Sequence, residues 1–146
     1  MIEIIKHSAD DEDYFGMARM VRTRVFIEEQ EVSFAEEFDH EDSSHHYLLL
    51  EYGAPKATGR WRITDKGIKL ERFAVLAGDR NRGLGAMVLH AILEDLKSRS
   101  EEIYLHAQIT AVNFYLRHGF EKVGDRFVEA DIVHYKMRLL RASRSL

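Results

Sequence analysis

Tyr14, Met17, Ala18, Val21 and Val25 fall at i, i+3, i+4, i+7 and i+11, so they share one face of a helix. The acidic start of that segment, "SADDED", suits the positive end of a helix dipole. A short strand over Ile2 to Lys6 precedes it, and an acidic connector, "EEQEVSFAEEFDHEDSSHH", follows. Runs of strand character cover His46 to Tyr52, Thr58 to Thr64 and Ile68 to Leu76, separated by "GAPK" and "DKG", both of turn composition. Val88, Leu89, Ile92, Leu93 and Leu96 then repeat at helical spacing. A strand at Ile103 to Ala107, a helix at Thr110 to His118 and strands at Lys122 to Phe127 and Ile132 to Leu139 complete the pattern. In the last strand Val133, Tyr135, Met137 and Leu139 alternate with His134, Lys136 and Arg138, which predicts one buried face. The order β-α-βββ-α-β-α-ββ mixes hairpins with a β-α-β crossover, so the predicted class is α+β with a mixed sheet.

Composition narrows the function classes. The 146 residues contain neither repeat nor linker and are expected to form one domain, residues 1 to 146. The longest apolar runs, such as Tyr47 to Leu50, are far short of the roughly 20 residues of a membrane span. The N-terminus turns acidic at once, unlike a signal peptide, and a cytoplasmic location is expected. With no cysteine, the chain offers neither a thiolate nucleophile nor a thiolate metal site. A net charge of -4 argues against a nucleic-acid binder and favours a cationic partner.

The stretch "DRNRGLGAMVLHAILEDL" follows a strand and opens a helix, where free backbone N–H groups favour an anion. Its glycines let a phosphate approach the backbone, and Arg80 and Arg82 add positive charge. Two nucleotide fingerprints fail on spacing. Leu84 and Gly85 stand where G-x-x-x-x-G-K-S/T needs its last two residues, and Val88 stands at the third glycine of G-x-G-x-x-G. A plain strand-to-helix turn would need the same glycine, and the loop alone leaves both readings open.

The segment "LHAQITAVNFYLRHGF" reads as strand, turn and helix ending at Gly119. With it, the chain resembles the GNAT superfamily of acyl-CoA-dependent N-acyltransferases. Arg80, Gly83 and Gly85 match the R/Q-x-x-G-x-G/A loop, following a strand that ends in Val75, and Ala111, Tyr115, Gly119 and Phe120 match the later signature. The segments "RTRVFIEEQ", "EFDHED", "LERFAV", "LHAQ" and "GDRFVEADIVHYKM" are similar to those of a small bacterial branch, the ElaA-like or YjcF-like proteins.

The resemblance implies a mostly antiparallel sheet flanked by helices and splayed between the fourth and fifth strands, with acetyl-CoA as cosubstrate. The pantetheine arm would enter that splay and bond to backbone at Phe73, Ala74 and Val75, where a bulge could aim an N–H at the thioester carbonyl. The pyrophosphate would rest on backbone N–H groups of Asn81, Arg82, Gly83, Leu84, Gly85 and Ala86, beside Arg80. Tyr115 would protonate the leaving thiolate. Many members carry asparagine seven residues before that tyrosine; Gln108 here keeps the amide on a longer arm.

The acceptor amine needs a base, because an alkyl ammonium titrates near about 10.4. Glu71 is the first candidate, two residues before Phe73 on the same strand face; a salt-bridged structural role is its alternative. His106 is second and His134 third. Glu29 and the other connector carboxylates could select a cationic amine or form a solvated charge run. Arg22, Arg24 and Phe26 could instead shape a pocket for an acceptor carboxylate. His40, His45 and His46 lie near Asp39 and Asp42, but "HEDSSH" has one residue too many for H-E-x-x-H, so no metal is expected. The expected function is acetyl transfer to a primary amine of a small molecule or peptide. The alternatives are an acyl-CoA sensor without turnover and an anion-binding structural module. Neither a nucleic acid nor a membrane is expected as partner, and homodimerisation is left open.

Overall fold

A computed structural model describes residues 1 to 140. The strands are β1 (Ile2–His7), β2 (His45–Glu51), β3 (Ala54–Thr64), β4 (Gly67–Val75), β5 (Ile103–Gln108), β6 (Phe120–Glu129) and β7 (Ile132–Leu139). The α-helices are α1 (Glu12–Arg22), α2 (Phe34–Glu37), α3 (Leu84–Asp95) and α4 (Val112–Arg117). The strands are ordered β1-β2-β3-β4-β5-β7-β6. The β1–β2, β2–β3, β5–β7 and β6–β7 ladders are antiparallel; β4 and β5 run parallel through Ile68, Leu70 and their partners Ile103 and Leu105. The class is α+β with a mixed sheet. The chain divides into two compact units, one of Met1–Arg62 with Glu71–Arg99, the other of Ile63–Leu70 with the chain from Ser100 onward.

In the first unit, α1 buries the face that its periodicity marks. Ala18 packs with Leu48 and Leu50, while Val21 and Val25 pack with Phe26 and Ala74. After Arg22 the chain widens into a π-helix over Thr23–Glu29. The wider turn brings Val25 and its neighbour Phe26 inward together, which a 3.6-residue period does not anticipate. The acidic connector is not an unstructured run. Ser33 caps α2 by accepting from the Glu36 amide at 3.2 Å, and Glu37 is 2% exposed.

The turn expected at "GAPK" contracts to Tyr52 and Gly53, with φ of 50° and 80°. These angles suit a two-residue hairpin turn. Pro55 therefore lies within β3, opposite Leu50 at a register shift between Leu49 and Leu50, where its missing N–H is tolerated. Further along β3, a Cβ on Gly59 would lie 2.8 Å from Val88 and 2.9 Å from Phe73, so this strand carries glycine to admit both side chains. Gly59→Ala should cost about 1–3 kcal/mol by overpacking, measurable by denaturant unfolding.

In the second unit, Ala130 and Asp131, both left-handed at φ 52° and 62°, close the β6–β7 hairpin. The buried face expected along β7 is only partly realised. Met137 is fully buried, but His134, assigned to the exposed set, is also buried, with its ring stacked 5.8 Å from Phe127.

Candidate active site

The first unit carries a continuous track from β4 to α3. Arg72 adopts φ 61° inside β4, a left-handed conformation that a non-glycine residue holds only when its surroundings enforce it. Its carbonyl accepts from Thr58 Oγ1 at 3.0 Å, and its guanidinium donates to the carbonyls of Glu36 and Glu37 and to Asp39 Oδ1. Phe73, Ala74 and Val75 follow this inversion. Arg80 Nε then donates back to the Val75 carbonyl at 3.0 Å, tying the loop to the strand end. Asn81 and Gly83 are left-handed at φ 64° and 80°, and Gly83 is the N-cap of α3. Nothing lies within 4 Å of where a Gly83 Cβ would be, and a Gly85 Cβ would meet Val75 only at an ordinary 3.6 Å. Protein packing leaves the backbone at both glycines open to approach.

Behind β4 stands a buried ion-pair network. Arg22 bonds to Glu37 at 2.7 Å and to Glu41 at 2.5 Å. Arg60, fully buried, bonds to Glu71 and at 3.0 Å to Glu41, and Arg62 reaches the same Glu71 oxygen at 3.1 Å. Two guanidiniums thus converge on one Glu71 oxygen.

The second unit carries Tyr115 on α4 and a polar cluster on the β5, β6 and β7 strands. Tyr115 is 7% exposed, and burial raises its phenol above the ordinary range, so the hydroxyl keeps its proton. His106 Nδ1 lies 3.2 Å from Glu129 Oε1, and that bond holds the Glu129 carboxyl down to about 2. His134 Nδ1 donates to the Ile132 carbonyl at 2.7 Å, leaving its Nε2 3.9 Å from Glu129 Oε2. Gln108 is half-buried at the end of β5.

Residues 7–141 match the family model described as an acetyltransferase (GNAT) domain. The chain belongs to the GNAT acetyltransferase family. YjcF of Bacillus subtilis, named an uncharacterised N-acetyltransferase, is 35% identical over 88% of this chain and 94% of its own. Among solved structures, Escherichia coli ElaA superposes with a TM-score of 0.84 at 23% identity, covering 96% of this chain and all of that one. The PaiA N-acetyltransferase of Thermoplasma acidophilum, solved in complex with coenzyme A, gives 0.68 at 15% identity over 95% of this chain and 98% of its own. Acyl transfer from an acyl-CoA to an amine is the chemistry of this GNAT family.

Several residues expected on the acceptor side make contacts within the protein. Arg22, 2% exposed, is consumed by Glu37 and Glu41 and offers no charge to a substrate carboxylate. Phe26 is core, packed with Val21, Val25 and Ala74. Glu29, 38% exposed, pairs with Arg80 at 2.9 Å. Arg82 pairs with Asp79 at 3.0 Å and with Glu51, so both loop arginines already hold carboxylates.

The three histidines of the connector diverge. His45 stacks on Trp61 at 3.9 Å, His46 Nε2 sits 2.9 Å from the Glu41 carbonyl, and His40 is exposed. No metal-binding group of three or more His, Asp or Glu occurs among the described residues, and none of their helices is long and apolar enough to cross a membrane. Sequence reasoning missed Arg60, Arg72 and Glu129. Ser33-x-x-Glu36, a helix-start signature, is the one signal that could have placed structure in the connector.

Proposed function

We propose that the chain transfers an acetyl group from acetyl-CoA to a primary amine of a small molecule or peptide, by direct attack of the amine on the thioester. The observation that carries this reading is the track from the inverted Arg72 through Phe73, Ala74 and Val75 to left-handed Gly83. An extended segment takes the pantetheine arm as an added strand, and the N-terminus of α3 takes the pyrophosphate on amides between Asn81 and Ala86. The pairs that Arg80 and Arg82 make are exposed and therefore weak, so phosphate oxygens replace Glu29 and Glu51 as their partners. The inversion at Arg72 re-aims the following amides, one of which donates to the thioester oxygen as negative charge builds there. Tyr115, protonated throughout the physiological range, supplies the proton to the departing sulfur, and Gln108 contacts the pantetheine arm through its amide. The doubly paired Glu71 holds Arg60 and Arg62 rather than accepting the amine's proton. The coenzyme A complex of PaiA supports the choice of cosubstrate. A cytoplasmic setting suits a chain without cysteine.

Isothermal calorimetry tests the reading: one molecule of acetyl-CoA should bind per chain, and absence of binding at millimolar ligand would contradict it. Gly83→Ala sharpens the test. The variant should lose about 1 kcal/mol of stability from its left-handed alanine, yet lose more than tenfold in acetyl-CoA affinity. Unchanged affinity would show that the glycine serves only the turn.

A further inference from the structure

We infer that Glu129 and His106 form a proton-accepting dyad for the acceptor amine, with His106 Nε2 as the base and Glu129 as the positioning residue. The inference rests on the acetyltransferase reading and deepens it. Glu129 Oε1 lies 3.2 Å from His106 Nδ1. An ionised carboxylate only accepts hydrogen bonds, so the imidazole proton sits on Nδ1 and the lone pair on Nε2. The ring is also fixed sterically. Phe127 meets it edge-on at 4.9 Å and Tyr104 lies 5.9 Å away. The His106 side chain remains 24% exposed, so the base is within reach of a solute. His134 cannot share this role equally: its Nδ1 is committed to the Ile132 carbonyl and its side chain is 8% exposed.

Charged and titratable groups that lie near His106 or its partner Glu129 include Lys69 of β4, Tyr104 of β5, and His134 and Lys136 of β7. Lys136 is the cross-strand partner of His106, and its Nζ lies 5.0 Å from the Tyr104 ring centre. Lys69 is the cross-strand partner of Tyr104.

The proton count closes. The ammonium gives one proton to His106 Nε2, and the freed nitrogen lone pair forms the C–N bond to the thioester carbon. The nitrogen then loses a second proton to solvent, the carbonyl re-forms, and the C–S bond breaks as the sulfur takes a proton from Tyr115. Tyr115 is reprotonated from solvent and His106 releases its proton there. One acyl-CoA and one ammonium become one amide, one CoA thiol and one proton.

The test uses the full chain, acetyl-CoA and butylamine, a bare primary amine that reports the proton step without recognition contacts. Long-range ¹H–¹⁵N spectra of ring-labelled protein should show the Nδ1–H tautomer of His106, shifting toward the Nε2–H tautomer in Glu129→Ala. That variant should lower kcat about tenfold at neutral pH, with KM for acetyl-CoA unchanged, and His106→Ala should lower it about 100-fold. Both deficits should shrink as pH approaches the amine's own pKa, where a base is no longer needed, and Glu129→Asp should restore part of the loss. A wild-type Nε2–H tautomer, or a deficit that does not change with pH, overturns the dyad. Failure of acetyl-CoA to bind would instead overturn the acetyltransferase reading, while the tautomer spectra would still report on the dyad. The same spectra show whether each variant is folded.

Discussion

Tyr115→Phe is expected to lower acetyl transfer at least 100-fold while changing acetyl-CoA affinity by no more than about threefold. The hydroxyl is the only part removed, and the buried ring keeps its edge-on packing with Phe114 at 5.1 Å and Phe120 at 5.8 Å. Burial keeps the hydroxyl protonated, and in the proposed mechanism it gives up that proton when charge develops on sulfur. Without it, the thiolate must leave unprotonated or wait for water. The measurement is steady-state kinetics beside calorimetry on the same preparation. Loss of binding comparable to the loss of rate would mean that the hydroxyl is structural.

The second large effect is on stability. Arg60 is fully buried and bonds at once to Glu71, Glu41 and the Asp39 carbonyl. Arg60→Leu leaves the buried Glu71 carboxylate and the part-buried Glu41 short of a partner, and breaking a buried pair in this way costs about 3–5 kcal/mol. In a chain of this size that corresponds to a fall in Tm of roughly 10 °C or more, measurable by calorimetry. The loss should extend to acetyl-CoA affinity, because Asp39 also anchors the side chain of Arg72, whose inverted backbone sets the direction of Phe73–Val75. A variant with wild-type Tm would show that the network is dispensable. Restoration by Arg60→Lys should be poor, since lysine cannot reproduce the several fixed donors of the guanidinium.

What was legible in the sequence was encoded locally. The face made by Tyr14, Met17, Ala18 and Val21 follows from helical spacing, and the Gly83 turn follows from a residue that alone enters left-handed backbone without strain. The inversion at Arg72 carries no such signal, because arginine has no preference for that conformation and is held there by groups from α2 and β3. Arg22 and Glu37 are 15 residues apart and Arg60 and Glu41 are 19 apart; until the chain folds, nothing separates them from ordinary surface charges. The acidic connector thus read as solvated or substrate-facing when its central carboxylates are internal counter-ions. His106 was legible as a candidate base from its place on β5, but Glu129, 23 residues away, becomes its partner only through the β6–β7 hairpin.

The most direct test of the whole account is acceptor-dependent release of CoA thiol from acetyl-CoA, measured across a panel of primary amines with the intact chain. At least one amine should accelerate release well above the rate with acetyl-CoA alone, with the acetylamide recovered in equal amount. Tight acetyl-CoA binding with no acceleration by any amine would contradict transfer and leave a domain that binds its ligand without turning it over.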